Sequence, residues 1–553
     1  MEIAGESELN PGVPRLRLTA TLLFAVLVSL VSPSPARAQA PGRDSLPRIT
    51  GITLDRYSIF DRGDSSWVAR LVNSLHVTTR APLIRREFLV HPGERYDSAR
   101  VAETGRNLRA LGVFRDVQID STRNDSGVAL HVVTRDGWTT RPDFRFRSTG
   151  GSIAYTLALI EDNLLGTLTQ TELLYQKDPD RSTTVLAFSR RRLIAGKVTG
   201  TFQYANRSDG DLVFAQLTLP YFEAASPRGG TLTLDNRRER IFRYRDGVQT
   251  PSDTVQNRYV LARADFSHAL RASPFGYVRA GATAQLRRDD YITDVVYRAG
   301  GAFPSSITGA VGGYIEAERV RKPAIRGFRS FGRAEDVDLS SAIRLSLFAA
   351  PSVFGYGDGH AGFAPGIGAH TGFQFPGGLA YADLVASGMY TSGGLDSGQV
   401  FVGATVALMP AVRHQLIVHG EIGALRNPLA GTEFDLGLGA GPRAFTQHAF
   451  TGDREFFATA EYRYTVTPEF FKVVGIGLAA FVDHGGAWWS GDPHRSGWDY
   501  GLGLRLGASR APELDANRID VAWRVAQPGL PGGWVLAVGK GFVFSTGPRG
   551  TSR

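Results

Sequence analysis

The chain contains no cysteine, which excludes a disulfide framework, a thiolate metal site and a thiol nucleophile. Beyond one apolar segment near its start, it has no run of about 18 apolar residues that could cross a bilayer as a helix. No Gly-x-Ser-x-Gly elbow and no His-Glu-x-x-His pair occurs, so two common hydrolytic designs are absent. The Gly-x-Gly run at Gly501, Gly503 and Gly507 lacks the following helix that would cradle a phosphate. Asp483, His484, Asp492 and His494 lie close in sequence, but adjacent strand residues point to opposite faces, so Asp483 and His484 do not share an ion. No enzyme activity, metal or other cofactor is expected.

What is present is glycine, 65 of 553 residues, well above the usual share of about 7%. That content favours tight turns and strand contacts over helices. Arg15 and Arg17 precede an apolar run from Leu18 to Val31. Pro33, Pro35 and the small-x-small triplet Ala36-Arg37-Ala38 follow. This order predicts a secretory signal peptide over residues 1–38, then a polar linker over 39–46. The net charge of +9 on an exported chain points to anionic lipid headgroups rather than nucleic acid.

Residues 47–136 read as a compact mixed domain. "RITGITLDRYSIF" is a strand pattern, and Val68, Leu71, Val72 and Leu75 make a helical stripe. A second helix is capped by Asp97 or Ser98, carries Val101, Leu108 and Leu111 on one face, and stops at Gly112. "FRDVQID" and "VALHVVTR" follow as strands on either side of a turn-rich "STRNDSG". Taken together, His91 to Ile119 resembles the polypeptide-transport-associated (POTRA) domain. Pro92-Gly93, Tyr96, Leu108, Leu111-Gly112, Phe114 and Val117 carry the likeness.

From Trp138 the helical period gives way to short alternating segments. Tyr500, Leu502, Leu504 and Leu506 share a face opposite Gly501, Gly503, Arg505 and Gly507. Likewise Ile519, Val521, Trp523 and Val525 oppose Arg518, Asp520, Ala522 and Arg524. One face is apolar and the other charged or tiny, as in a barrel that turns its apolar side to lipid and encloses a wet lumen. Closure satisfies every backbone group, which hydrocarbon demands. Trp488, Trp489, Trp498, Tyr500 and Trp534 suit an interfacial girdle. At about 25 residues per strand with its loop, residues 138–544 accommodate about sixteen strands, leaving a polar tail over 545–553. The expected fold is mainly β: a small α+β domain, then a C-terminal transmembrane antiparallel barrel.

Within this region Glu461 and Asp483 fall on the inner faces of consecutive strands. Two carboxylates close together repel unless a cation joins them, and an arginine fork suits that task. Arg443, or a wall arginine such as Arg505, is available. The pattern resembles the outer-membrane assembly superfamily typified by BamA and TamA, in which an arginine on a late loop docks on acids inside the barrel. That resemblance places the loop motif at Pro442-Arg443-Ala444-Phe445 and the wall motifs at Glu461-Tyr462-Arg463 and Phe481-Val482-Asp483-His484-Gly485. "IEDNLLGTL", Ile160 to Leu168, resembles the family's early hairpin. "IRGF" at Ile325 to Phe328 spells the loop motif more closely, but Arg326 lies 157 residues before Asp483 whereas Arg443 lies 40 before it. Spacing therefore favours Arg443 and makes Arg326 an ordinary loop residue.

The closing strand is expected from Trp534 to Phe544, weakened by Gly539 and Gly541, with Leu536, Val538 and Phe542 on the face of Trp534. It should meet a first strand near Pro142 to Ser148 at a seam. The resemblance implies insertion or translocation of polypeptides at the bacterial outer membrane, with the POTRA domain in the periplasm. Client strands would pair at the POTRA edge and at the seam. Outer-membrane lipids, client polypeptides and accessory periplasmic proteins are the implied partners, and nucleic acid is not one. A passive pore, or an export channel for one partner or for small solutes, is the alternative.

Overall fold

The computed structural model describes residues 47–544, apart from 61–62, 64–66, 150–151, 195–196, 224, 243, 246, 250–253, 293–305, 355–360, 430, 438–439 and 510–514. The expected signal peptide, linker and polar tail lie outside the described residues. From Thr140 to Lys540 the alternation forms a continuous wall. Trp498, Tyr500 and Leu502 stand outward and exposed, while Asp499 and Arg505 are buried inside. A strand with a period of 2 can serve two solvents in this way.

Twenty strands, each bonded to its sequence neighbour, close into one barrel, with Thr140–Thr149 beside Gly533–Lys540. The expectation of about sixteen is too low because many hairpins are tighter than the allowance of 25 residues assumed. Arg207 pairs with Gly210, Ser273 with Gly276, Phe375 with Gly378, Thr391 with Gly394 and Ala411 with His414. Each of these links has two residues, as short hairpins favour. On the outer face Trp523 and Trp534 meet edge to face at 5.2 Å, near the rim that also carries Trp498 and Tyr500.

Ahead of the wall lies a three-stranded sheet. β1 (Ile49–Tyr57) runs parallel to β3 (Gly127–Asp136), which pairs antiparallel with β2 (Phe114–Asn124). Three helices, α1 (Trp67–Leu75), α2 (Ala81–Arg85) and α3 (Ser98–Arg109), lie between β1 and β2. The short α2, which opens with Pro82 in its first turn, has too few residues to show a period and is absent from the sequence reading. Asp97 caps α3, accepting from the N–H groups of Ala99 and Arg100 at 2.9 and 3.3 Å, and Gly112 leaves it at φ 71°. Leu108, Phe114 and Val117 are buried with Ile84, Phe88 and Val132, and Leu111 packs at their edge. Gly93 turns at φ 89°, and the Tyr96 ring packs beside Val101 and Val128.

This domain sits on one rim of the barrel. Asn163 donates to Thr79 Oγ1 at 2.7 Å, Arg192 pairs with Glu87 at 2.6 Å, and Asn107 donates to the Phe222 carbonyl at 2.5 Å. The wall is thereby held to the domain at Asn163, Arg192 and Phe222.

A candidate loop-docking site inside the barrel

Four successive strands before the seam, Arg454–Phe470, Val474–Trp488, Gly497–Ala508 and Asn517–Arg524, turn their charges inward. Thr459 stands opposite Asp483, which stands opposite Asp499. Arg505 stands opposite Arg518, which stands opposite Gly539. Where these charges crowd, the wall uses glycine: a Cβ on Gly503 would lie 2.0 Å from Asp520 Oδ1, and one on Gly539 would lie 2.7 Å from the Arg518 guanidinium. The "tiny" residues of the inner face are therefore room for ion pairs.

Into this patch reaches Arg443, from the long loop between Arg426 and Arg454 on the rim away from the domain. Its side chain is 1% exposed. Nη1 lies 2.7 Å from Glu461 Oε2 and 3.7 Å from Asp520 Oδ2, and Nε lies 2.9 Å from Asp483 Oδ2. The guanidinium carbon stacks 3.8 Å above the Phe481 ring, a cation–π contact strengthened by the absence of water. Arg505 also holds Glu461, at 3.0 Å, and reaches Asp520 at 2.5 Å. Arg463 pairs with Glu461, and Arg518 lies 3.4 Å from Asp520. Loop and wall arginines thus share the same acids, where the sequence offered them as alternatives.

Four arginines (Arg443, Arg463, Arg505, Arg518) meet four acids (Glu461, Asp483, Asp499, Asp520). Burying a lone ion costs several kcal/mol, and pairing offsets that cost. Asp499 Oδ2 accepts the Ala444 N–H at 2.9 Å, so the loop backbone is fixed as well as its arginine. Ala444 does so without a positive φ, and glycine is not required there. Phe445 is fully buried, its ring seated on Gly497, where a Cβ would fall 2.2 Å from the ring. Gly485 gives similar room to Phe457.

Asp499, Arg518 and Asp520 were not singled out from sequence as partners of Arg443. Their inward parity was readable, but their convergence depends on strand register. Arg326 is exposed and donates to the Gly332 carbonyl at 3.0 Å. His484 stacks flat on Trp498 at 3.8 Å.

The closing strand requires a correction. It ends at Lys540 rather than Phe544, so Phe542 and Phe544 do not share a wall face with Trp534. Gly541, at φ 66°, turns the chain into the lumen. There Phe544 stacks on His419 at 3.9 Å and Phe542 packs on Phe328 at 5.5 Å. Aromatic alternation alone could not reveal this inward turn.

Residues 437–549 match the model of the Omp85 superfamily domain. This stretch is similar to that domain. Solved structures similar to the chain include CdiB from Escherichia coli, at 12% identity over 97% of this chain and 100% of that one, with a TM-score of 0.46. BamA from Haemophilus ducreyi lacking POTRA domains 1-3 is also 12% identical, over 89% and 84%, with a TM-score of 0.37. No curated protein matches the chain. The matched stretch contains all eight charged residues of the cluster, and the chain is a β-barrel.

A second anchor of the same loop involves His448. His448 bridges Asp435, at 2.6 Å, and Asp180 of a neighbouring wall turn, at 3.0 Å. It stacks on Tyr244 at 3.7 Å, and the Tyr244 hydroxyl donates to Asp180. Burial lowers the His448 pKa, but the hydrogen bonds to Asp180 and Asp435 outweigh it and push the value up to about 9. The ordinary value is about 6.5. A raised pKa means that this anchor is complete below about pH 6.5 and is lost as pH rises through 9. Proteinase K should therefore cut the loop several-fold faster at pH 10 than at pH 7, after correction for protease activity. His448→Gln should cut at the faster rate at both values. A wild-type rate that is flat from pH 7 to 10 would refute the latch.

Proposed function

We propose that this outer-membrane barrel handles polypeptide clients, inserting or translocating them across the wall at its seam. The observation that carries the reading is the docking cluster. It braces the four strands immediately before the closing strand, which has 8 residues and meets a first strand of 10 at the seam. A rigid wall beside a short junction favours lateral opening at that junction. The N-terminal domain, read as POTRA and placed in the periplasm, would hold an extended client by backbone pairing at a sheet edge, which demands little of client sequence. Lipid surrounds the apolar outer face, and the proposed activity involves no covalent chemistry.

The test is reconstitution. Purified protein in liposomes should raise the yield of protease-resistant, folded client barrels several-fold over empty liposomes. Steady ion conductance with no effect on any client would instead establish the pore. Depletion in cells separates a general from a dedicated role: loss of many outer-membrane proteins supports the first, and loss of one exported partner the second.

A further inference from the structure

The segment from Val320 to Ser340, between strands Ser306–Arg319 and Ser341–Ala350, does not remain at the rim. A small hairpin, Ala324–Arg326 paired with Ala334–Asp336, folds into the lumen from the domain side. Its tip is closed by Glu335, whose carboxylate accepts from the N–H groups of Phe328 and Arg329 at 2.9 and 2.8 Å and pairs with the Arg329 guanidinium at 3.0 Å. Ile325, Phe328, Val337 and Leu339 are buried against the inward residues Leu379, Tyr381, Ala407 and Ile417. Gln415 fixes the Phe328 carbonyl at 3.1 Å.

Phe331 crosses further, to strands Val474–Trp488 and Gly497–Ala508. Its ring occupies a socket of three inward glycines. A Cβ on Gly475, Gly477 or Gly507 would lie 2.6, 2.8 or 2.6 Å from it. Glycine in a strand weakens it unless something approaches closely, and here an aromatic ring does. The hairpin therefore reaches along the inner wall, seated first on strands Gly378–Thr391, Gly394–Ala411 and His414–Arg426 and then, one strand further on, in the glycine socket.

The same hairpin is tied to the N-terminal domain. Arg109, at the end of α3, holds Asp336 with two parallel bonds of 3.0 Å. Arg333 donates to the carbonyls of Phe114 and Arg115, at the start of β2, at 3.5 and 3.3 Å. Both ties meet the domain where α3 passes into β2. Any displacement of that corner pulls on the hairpin.

We propose that residues 320–340 are a gate that closes the lumen on the domain side, and that the Arg109–Asp336 pair couples its release to movement of the N-terminal domain. The agent of movement, a client held by that domain, rests on the function proposed above; the closure does not. The experiment uses full-length protein in planar bilayers with potassium chloride and no client, so that failure of the gate and failure of client handling are read separately.

Wild type should be mostly closed. Arg109→Glu and Asp336→Arg should each raise the open fraction at least several-fold, and the double variant R109E/D336R, which restores an ion pair in reverse, should return toward wild type. Gly477→Val, which evicts Phe331 from its socket, should also open the lumen. Folded state is checked for every variant by gel mobility before and after heating. Conductance unchanged in folded R109E and D336R would overturn the coupling, and a closed, folded G477V would overturn the gate. Two single variants that open without restoration in the double would also overturn the pairing.

Discussion

Arg443→Glu should abolish the heat-resistant folded form. The substitution removes the cation shared by Glu461 and Asp483 and adds a carboxylate beside both, in a site that excludes water. Removing one partner of a buried ion pair costs about 3–5 kcal/mol, and reversal adds repulsion among five acids where four stood. Arg505 and Arg463 still hold Glu461, but no other guanidinium lies within ion-pair distance of Asp483 among the described residues. Arg443→Lys keeps the charge and loses the planar fork, so its melting point should fall between the two. The measurement is the temperature at which the folded band converts on a semi-native gel. A reversed variant that melts with wild type would remove the docking role.

Locking the seam should stop client handling. The chain has no cysteine of its own, so a pair introduced between Gly533–Lys540 and Thr140–Thr149 has no native thiol to mispair with. The two strands are hydrogen-bonded neighbours in the closed barrel, so directly paired positions across this junction stand within the reach of a disulfide. Oxidised protein should retain its fold and lose at least nine-tenths of client insertion, and dithiothreitol should restore it. Full activity while oxidised would show that clients pass elsewhere. The gate described above offers an internal control, since its conductance should respond to Arg109→Glu whether or not the seam is bonded.

The fold class was legible because a period of 2 persists over some 400 residues and needs no knowledge of pairing. Strand number was less so, since turn length rather than strand length sets the repeat. At the candidate site, Glu461 and Asp483 could be named from parity, Arg443 was implied by the family resemblance and preferred over Arg326 by spacing, and the three lie within ion-pair distance. Asp520 could not be named as a partner, because its approach depends on how the strands carrying Asp483 and Asp520, 40 and 77 residues beyond Arg443, lie in register, which no local pattern encodes. The hairpin with Phe331 was hidden for a different reason. Its residues look like a loop, and its evidence is the absence of side chains at Gly475, Gly477 and Gly507, far along the chain.

The inward hook after Gly541 ties the end of the wall to the contents of the lumen. The Val543 carbonyl accepts from the Gly441 N–H at 3.5 Å, Phe544 lies on His419, and Phe542 lies on both Phe328 and the Arg463 guanidinium. The residues after the closing strand are thus a keystone whose seats belong to the two invading loops and to strands His414–Arg426 and Arg454–Phe470. Without the two loops in place the hook lacks most of its seats, so the end of the wall and the contents of the lumen stabilise one another.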